Sequence, residues 1–178
     1  MTTQATIPGD ITGAWTIDPR NSEVSFTVRY LGVSKVHGRF NRVSGEIVTR
    51  ESAADSSVSA TVGADSIDTG FAARDEYIKS GDVLAAAEHK ELTFTSTGIR
   101  NGCFIDGDLT IHGVTRPVTL TAKFGGYAED PAEGGTVLGA SATMTLDRKA
   151  FGFASKIPSA VIGDKITVHI DIHATLNY

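Results

Sequence analysis

Near the C-terminus, His169-x-Asp171-x-His173 places two imidazoles and a carboxylate at alternate positions, donor types that bind divalent metals. On a strand the three side chains share one face, and the two histidines then stand about 13 Å apart at ~3.3 Å per residue. Zinc–nitrogen bonds of about 2 Å cannot bridge that gap, so one ion does not take both. His169 with Asp171 would need a third ligand from a neighbouring strand. Three solvated outward side chains are the better reading, and no metal or cofactor is expected. Nucleophilic chemistry fares no better. No G-x-S-x-G elbow occurs, and the single cysteine, Cys103, has no base near it in sequence. Asp106 and Asp108 are two residues apart, which suits the wet face of a hairpin more than an acid–base pair in a cleft. Gly32, Gly38 and Gly45 form no phosphate loop, because no helix start follows them. No catalytic residue is assigned, and the chain is not expected to be an enzyme.

One charge pattern remains. Between Val24 and Gly45 there is no Asp or Glu, while Arg29, Lys35, Arg39 and Arg42 are present with His37. The whole chain of 178 residues carries a formal charge of −5, so this run is a local positive patch in an acidic protein. That balance excludes a broad basic field for nucleic acid. One cysteine excludes an internal disulfide framework. Met1 to Trp15 holds no apolar run long enough for a signal peptide or a membrane span, so a cytoplasmic location is expected for the chain as given. Residues 1–12 are expected to be loosely ordered and 13–178 to form one domain.

The elements that must position these side chains read as strands. Ile105, Gly107, Leu109 and Ile111 alternate with polar residues, a turn-like His112–Pro117 follows, and Val118, Leu120, Ala122 and Phe124 alternate again. That is the signal for an antiparallel hairpin with one wet face. Similar period-two runs cover Val24–Tyr30, Arg39–Arg50, Ser57–Ile67, Leu92–Ile99 and Leu138–Leu146. The clearest is the last, where Ile166, Val168, Ile170, Ile172, Ala174 and Leu176 share a face. Phe71–His89 loses that period and gains helix formers, predicting two short helical pieces parted at Ser80–Gly81–Asp82. Gly125–Gly135 reads as an acidic surface loop. About eight strands and one helical insertion define an all-β chain, either an up-and-down barrel or a closed sandwich. Many inward positions are small, including Gly45, Ala60, Ala64, Gly107, Ala122, Ala140 and Ala142. Alternation alone leaves a filled core and a ligand cavity both open.

Several segments, in order, resemble the YceI-like family of polyisoprenoid-binding, lipocalin-like proteins. They are Trp15-Thr16-Ile17-Asp18, Val33–Phe40, Ser66-Ile67-Asp68-Thr69, Arg74-Asp75, Leu92–Thr97, Gly107–Thr115, Asp147-Arg148 with Phe151-Gly152, and Gly163-Asp164. Asn21, Tyr30 and the pair His89-Lys90 depart from the family pattern. The resemblance implies an antiparallel up-and-down lipocalin-like β-barrel with a short helical insertion. It also implies a long-chain amphiphile inside, of the isoprenoid quinone or polyprenyl diphosphate type, carried or sequestered. On that reading Phe26, Val28, Tyr30, Phe94, Leu109, Ile111, Leu120, Phe124 and Met144, inward on separate strands, line an apolar tunnel. Arg39, Arg42, Arg74 and Lys79 are the candidates for a polar head group. A lipid isomerase or cyclase using the same cavity is the alternative, and a homodimer is left open.

Overall fold

The Phe104–Glu129 region forms the hairpin that its alternation predicts, with a tighter turn and a longer second strand. His112 and Gly113 both have left-handed backbones (φ 54° and 74°), and Ile111 pairs directly with Val114. This is a two-residue primed turn, whose twist matches the twist of the flanking strands. Val114–Pro117 therefore belongs to the strand rather than to the turn. Pro117 lies opposite Asp108, and the next strand along pairs with this one only from Thr121 onward. Its missing N–H thus falls where no ladder needs it.

The computed structural model describes residues 11–177, so the loose segment expected at residues 1–12 falls almost wholly outside the described residues. The strands are β1 (Gly13–Ile17), β2 (Glu23–Tyr30), β3 (Ser34–Phe40), β4 (Val43–Thr49), β5 (Ser57–Gly63) and β6 (Ile67–Asp68), followed by β7 (Glu91–Arg100), β8 (Phe104–Ile111), β9 (Val114–Glu129), β10 (Thr136–Asp147) and β11 (Ile162–Leu176). Helix α1 spans Ala72–Lys79, and the single turn α2 spans Arg148–Phe151. All strand pairs are antiparallel, and β1 pairs with both β4 and β11, closing the sheet on itself. β1 and β2 lie end to end along β11, while β3 and β4 lie end to end against them. The result is an eight-stranded up-and-down barrel, closed through β1 and left with an unpaired edge at β6 and the outer part of β3.

β1 is short, and its inward pair, Trp15 and Ile17, gives too little alternation to register as a strand from sequence. Its packing is nonetheless decisive. Trp15 is fully buried, its indole N–H donates to Thr49 Oγ1 at 2.9 Å, and its ring stacks on Tyr127 at 5.5 Å. With Ile17, Ile47, Leu138 and Ala174 it forms a core cluster that closes one end of the barrel. The larger cluster fills the wall and the other end.

Two expectations are corrected here. Of the predicted pair of helical pieces, only α1 forms. Residues 81–88 make successive turns instead, with Ala85 left-handed (φ 50°). Val83, Leu84, Ala85 and Ala86 are all buried there, and seating four consecutive side chains on the barrel overrides helix propensity. The acidic loop is also shorter than expected. β9 runs on through Gly125 and Gly126, with a register shift at Gly139/Ala140 on β10 absorbing the bend.

Candidate functional site: a hollow apolar barrel

The inward side chains of β2 and β11 show what the interior holds. Val24, Phe26, Ile166, Val168, Ile170 and Ile172 all point into the barrel, yet each is only half-buried. A residue inside a closed barrel keeps accessible surface only if it faces unfilled space. That space is a chamber of about 660 Å³. Ala60, Ala122, Ala140 and Ala142 line it, so these small residues do leave room.

The inward glycines do something different. A Cβ on Gly107 would meet the Phe94 ring at 2.5 Å and the Thr95 carbonyl at 2.6 Å, and one on Gly38 would meet the Phe26 ring at 2.4 Å. Each glycine seats a phenyl ring, holding Phe94 and Phe26 as flat panels of the wall. Gly45 is pressed against the backbone of Ser59 and Ala60. None of the three contributes empty volume.

Of the nine tunnel residues expected from sequence, Phe26, Val28, Tyr30, Phe94, Leu109, Ile111, Leu120 and Met144 line the chamber. Phe124 does not. It packs edge-on to Tyr127 at 5.0 Å in the cluster around Trp15, below the chamber floor. Alternation placed it on the correct face but could not say how far along the barrel the cavity reaches.

The four head-group candidates separate. Arg42 pairs with Asp65 at 2.6 Å, and Arg39 lies 3.7 Å from Asp68 and 4.0 Å from Glu23. Lys79 pairs with Glu76 at 3.2 Å. None of these three lines the chamber. The run Val24–Gly45 lacks acids in sequence, but Glu23 at the start of β2, Asp68 on β6 and Asp65 in the turn between β5 and β6 supply them. Asp65 is held below the usual carboxylate range by the Arg42 hydrogen bond, as is Asp68 by the Gly70 backbone N–H. Arg74 alone of the four reaches the chamber wall. Its Nε donates to Thr69 Oγ1 and its Nη2 to the Thr69 carbonyl, both at 2.8 Å, and it lies 5.9 Å from the Phe71 ring centre.

A second arginine, outside the four head-group candidates, reaches the chamber. Arg148 is only 1% exposed and lines the chamber. Its guanidinium donates to the carbonyls of Gly163, Ala154, Ile157 and Ile162, and lies 3.4 Å from Asp164. It ties the 152–164 segment against the top of β10. The only signal in sequence was its place in the Asp147-Arg148 motif.

The remaining polar lining is sparse. Tyr30, Arg74 and Tyr77 stand where the chamber meets solvent, and Ser141 completes the polar side chains. Among the described residues no buried side-chain nitrogen or oxygen lacks a hydrogen-bond partner, and no group of three or more His, Cys, Asp or Glu is placed to hold a metal ion. The wall can exclude water and accept hydrocarbon, and it presents a guanidinium at its opening.

A closed eight-stranded antiparallel barrel around an apolar chamber defines a lipocalin-like barrel protein. The chain belongs to the YceI-like family, whose domain matches residues 15–174. It is 39% identical over 158 residues to a UPF0312 protein of Vibrio parahaemolyticus, covering 86% of this chain and 80% of that one. The crystal structure of Campylobacter jejuni YceI protein superposes with a TM-score of 0.74 at 26% identity, covering 84% of this chain and 90% of that chain. A polyisoprenoid binding domain from Saccharophagus degradans shares the fold with a TM-score of 0.71 at 13% identity, covering 94% and 100%. No helix among the described residues is long and apolar enough to cross a membrane.

Proposed function

We propose that this protein binds a long apolar chain of the polyisoprenoid class in its barrel and carries or sequesters it unchanged. The observation that carries the reading is the 660 Å³ chamber, whose wall contains no Asp, Glu, His, Cys or Lys among the described residues. Its hydroxyls, Tyr30, Tyr77 and Ser141, have no carboxylate or imidazole beside them in the wall to act as a base, which favours binding over isomerase or cyclase chemistry. The wall also leaves no unpartnered buried polar atom to repay the desolvation of a polar ligand. Hydrocarbon is repaid at about 0.8 kcal/mol per buried CH₂. The fold neighbour from Saccharophagus degradans is described as a polyisoprenoid binding domain, and that ligand class suits this chamber.

The volume bounds the cargo. At about 30 Å³ per water-sized group the chamber takes about 20 carbon-sized groups, or about four isoprene units. A polar head group then meets the opening, where Arg74 keeps N–H groups beyond those given to Thr69.

The test is a displacement titration of a bound fluorescent probe by polyprenols of increasing length. Each added isoprene unit should tighten binding by at least about tenfold, after the cost of ordering the chain, and the gain should stop near about 20 carbons. Leu109→Arg, which puts a charge on the wall, should abolish probe binding in a folded barrel. Affinity independent of length, or unchanged by that charge, would remove the chamber as the binding site.

A further inference from the structure

The large hydrophobic side chains exposed among the described residues are Val33 (84%), Phe71 (59%), Leu31 (51%), Tyr77 (47%) and Tyr30 (40%). All five belong to one end of the barrel. Tyr30, Leu31 and Val33 form the tip of the β2–β3 hairpin, while Phe71 precedes α1 and Tyr77 lies on it. Tyr30, Phe71 and Tyr77 also line the chamber, so the patch continues from the outer surface into the cavity. The Leu31 N–H donates to the Val161 carbonyl at 2.8 Å, fixing the tip against the neighbouring segment.

Leu31 is in the left-handed region (φ 55°), where glycine or asparagine is the low-energy choice. Half its side chain is in water, so internal packing does not offset that cost. Contact with an apolar phase outside the protein would.

The charges beside the tip point to the kind of phase. Arg29 and Lys35 face each other directly across the β2–β3 ladder. Like charges at that position repel. Among the described residues neither has an ion-pair partner, and Arg29 only reaches the Gly32 carbonyl, at 3.3 Å. Asp164, which follows the Gly163 packed beside Arg29, is engaged by Arg148, Lys149 and Ser159, and the acids of α1 and the turn after it are engaged too: Asp75 with Thr69, Glu76 with Lys79, and Asp82 with Lys156. An anionic surface would relieve the Arg29–Lys35 repulsion. A second copy of this chain, docked tip to tip about a two-fold axis, would double it.

We propose that this rim is a docking surface for an anionic lipid bilayer, which seats the chamber mouth on the membrane so that cargo passes between bilayer and barrel without crossing water. The inference rests on the reading of an apolar cargo. Leu31 and Val33 enter the headgroup–acyl boundary, and Tyr30 and Tyr77 lie at headgroup level with their hydroxyls in water. Arg29 and Lys35 meet lipid phosphates, each contributing a Coulombic gain close to the surface. The net charge of −5 turns the rest of the barrel away from the same surface, so only this orientation is attracted.

Co-sedimentation of the full chain with vesicles tests this, using phosphatidylcholine alone and phosphatidylcholine mixed with phosphatidylglycerol. The wild type should partition onto the mixed vesicles. Arg29→Gln with Lys35→Gln should lower that partition about thirtyfold and remove the preference over phosphatidylcholine. Leu31→Asn with Val33→Ser, which suits the left-handed backbone, should lower partition onto both vesicles by at least about tenfold. Transfer of a fluorescent polyprenol from vesicle to protein should slow in parallel. Binding of the same probe from detergent micelles should be unchanged in both variants, because none of the four residues lines the chamber. Wild type that binds the micellar probe but not vesicles, or variants that partition like wild type, would overturn the docking surface. A dimer dissolved by the Leu31/Val33 substitutions, without vesicle binding, would replace it with self-association. Failure of the wild type to bind the micellar probe would instead overturn the cargo reading.

Discussion

Arg148 and Arg74 both touch the chamber, and their surroundings assign them different work. Arg148 gives four of its five N–H groups to backbone carbonyls and lies beside Asp164, so most of its bonding capacity is spent on the chain itself. It acts as the tie for a loop that has little regular structure. Arg74 spends two donors on Thr69 and holds the others toward the mouth. Arg148→Met should therefore cost about 3–5 kcal/mol in urea unfolding, because buried carbonyls lose their partners and the loop loses its anchor. Arg74→Ala should change stability little. It should instead weaken a polyprenyl diphosphate more than the matching alcohol, with added salt narrowing the gap. Equal losses for diphosphate and alcohol at low salt would remove Arg74 as a head-group contact.

At the scale of elements the barrel is uneven. β7 to β11 pair continuously along most of their lengths, whereas β6 has two residues and pairs only with β3. The gap above β5 is covered by α1 and the 83–86 turn. α1 buries none of its own residues, and its side-chain ties are the bonds that Asp75 and Arg74 make with Thr69, the Glu76–Lys79 pair being internal to the helix. Amides of α1 should exchange with deuterium far faster than those of β8 and β9, and slow when an isoprenoid fills the chamber. Protection of α1 equal to that of the hairpin in the empty protein would rule out this element as the moving part. These weakly held pieces are also where sequence spoke least clearly. The hairpin and β11 were legible because each has four or more alternating positions with one dry face. β1 and β6 are too short to show a period, and residues 83–86 adopt turns dictated by what they cover. The eight inward wall residues followed from alternation, but the depth of the floor did not, since Trp15 and Tyr127 set it from distant parts of the chain. The basic run misled for a related reason: the turn after β5 brings Asp65, and the β3–β6 pairing brings Asp68, to arginines more than 20 residues away.

The whole molecule keeps Asp, Glu, His and Lys off the chamber wall among the described residues, where Arg74 and Arg148 are the charged side chains in a lining of hydrocarbon. Asp18, Asp65, Asp68, Asp106, Asp130, Asp147 and Asp164 are all held below the ordinary aspartate value. Asp106 is lowered to about 2 by hydrogen bonds from Arg100 and Thr119. For Asp18 burial pushes upward, but hydrogen bonds from Arg20 and Asn21 outweigh it and leave the value at about 2. A carboxylate with a depressed folded pKa binds its proton more readily in the unfolded chain. Its contribution to stability is thus complete above the unfolded value, 3.8, and disappears as pH falls through the folded one. The melting temperature should change little on this account from pH 7 to about 5, then fall steeply between about pH 4 and 2. Asp106→Asn should flatten part of that fall while lowering stability at neutral pH. The chamber wall holds no Asp, Glu or His among the described residues, so affinity for an uncharged polyprenol should stay level across about pH 5–8. A melting curve that declines smoothly from pH 7, unaffected by Asp106→Asn, would show that these surface pairs contribute nothing. A polyprenol affinity that titrates near pH 6 would place a histidine at the binding site and contradict the geometry of the wall.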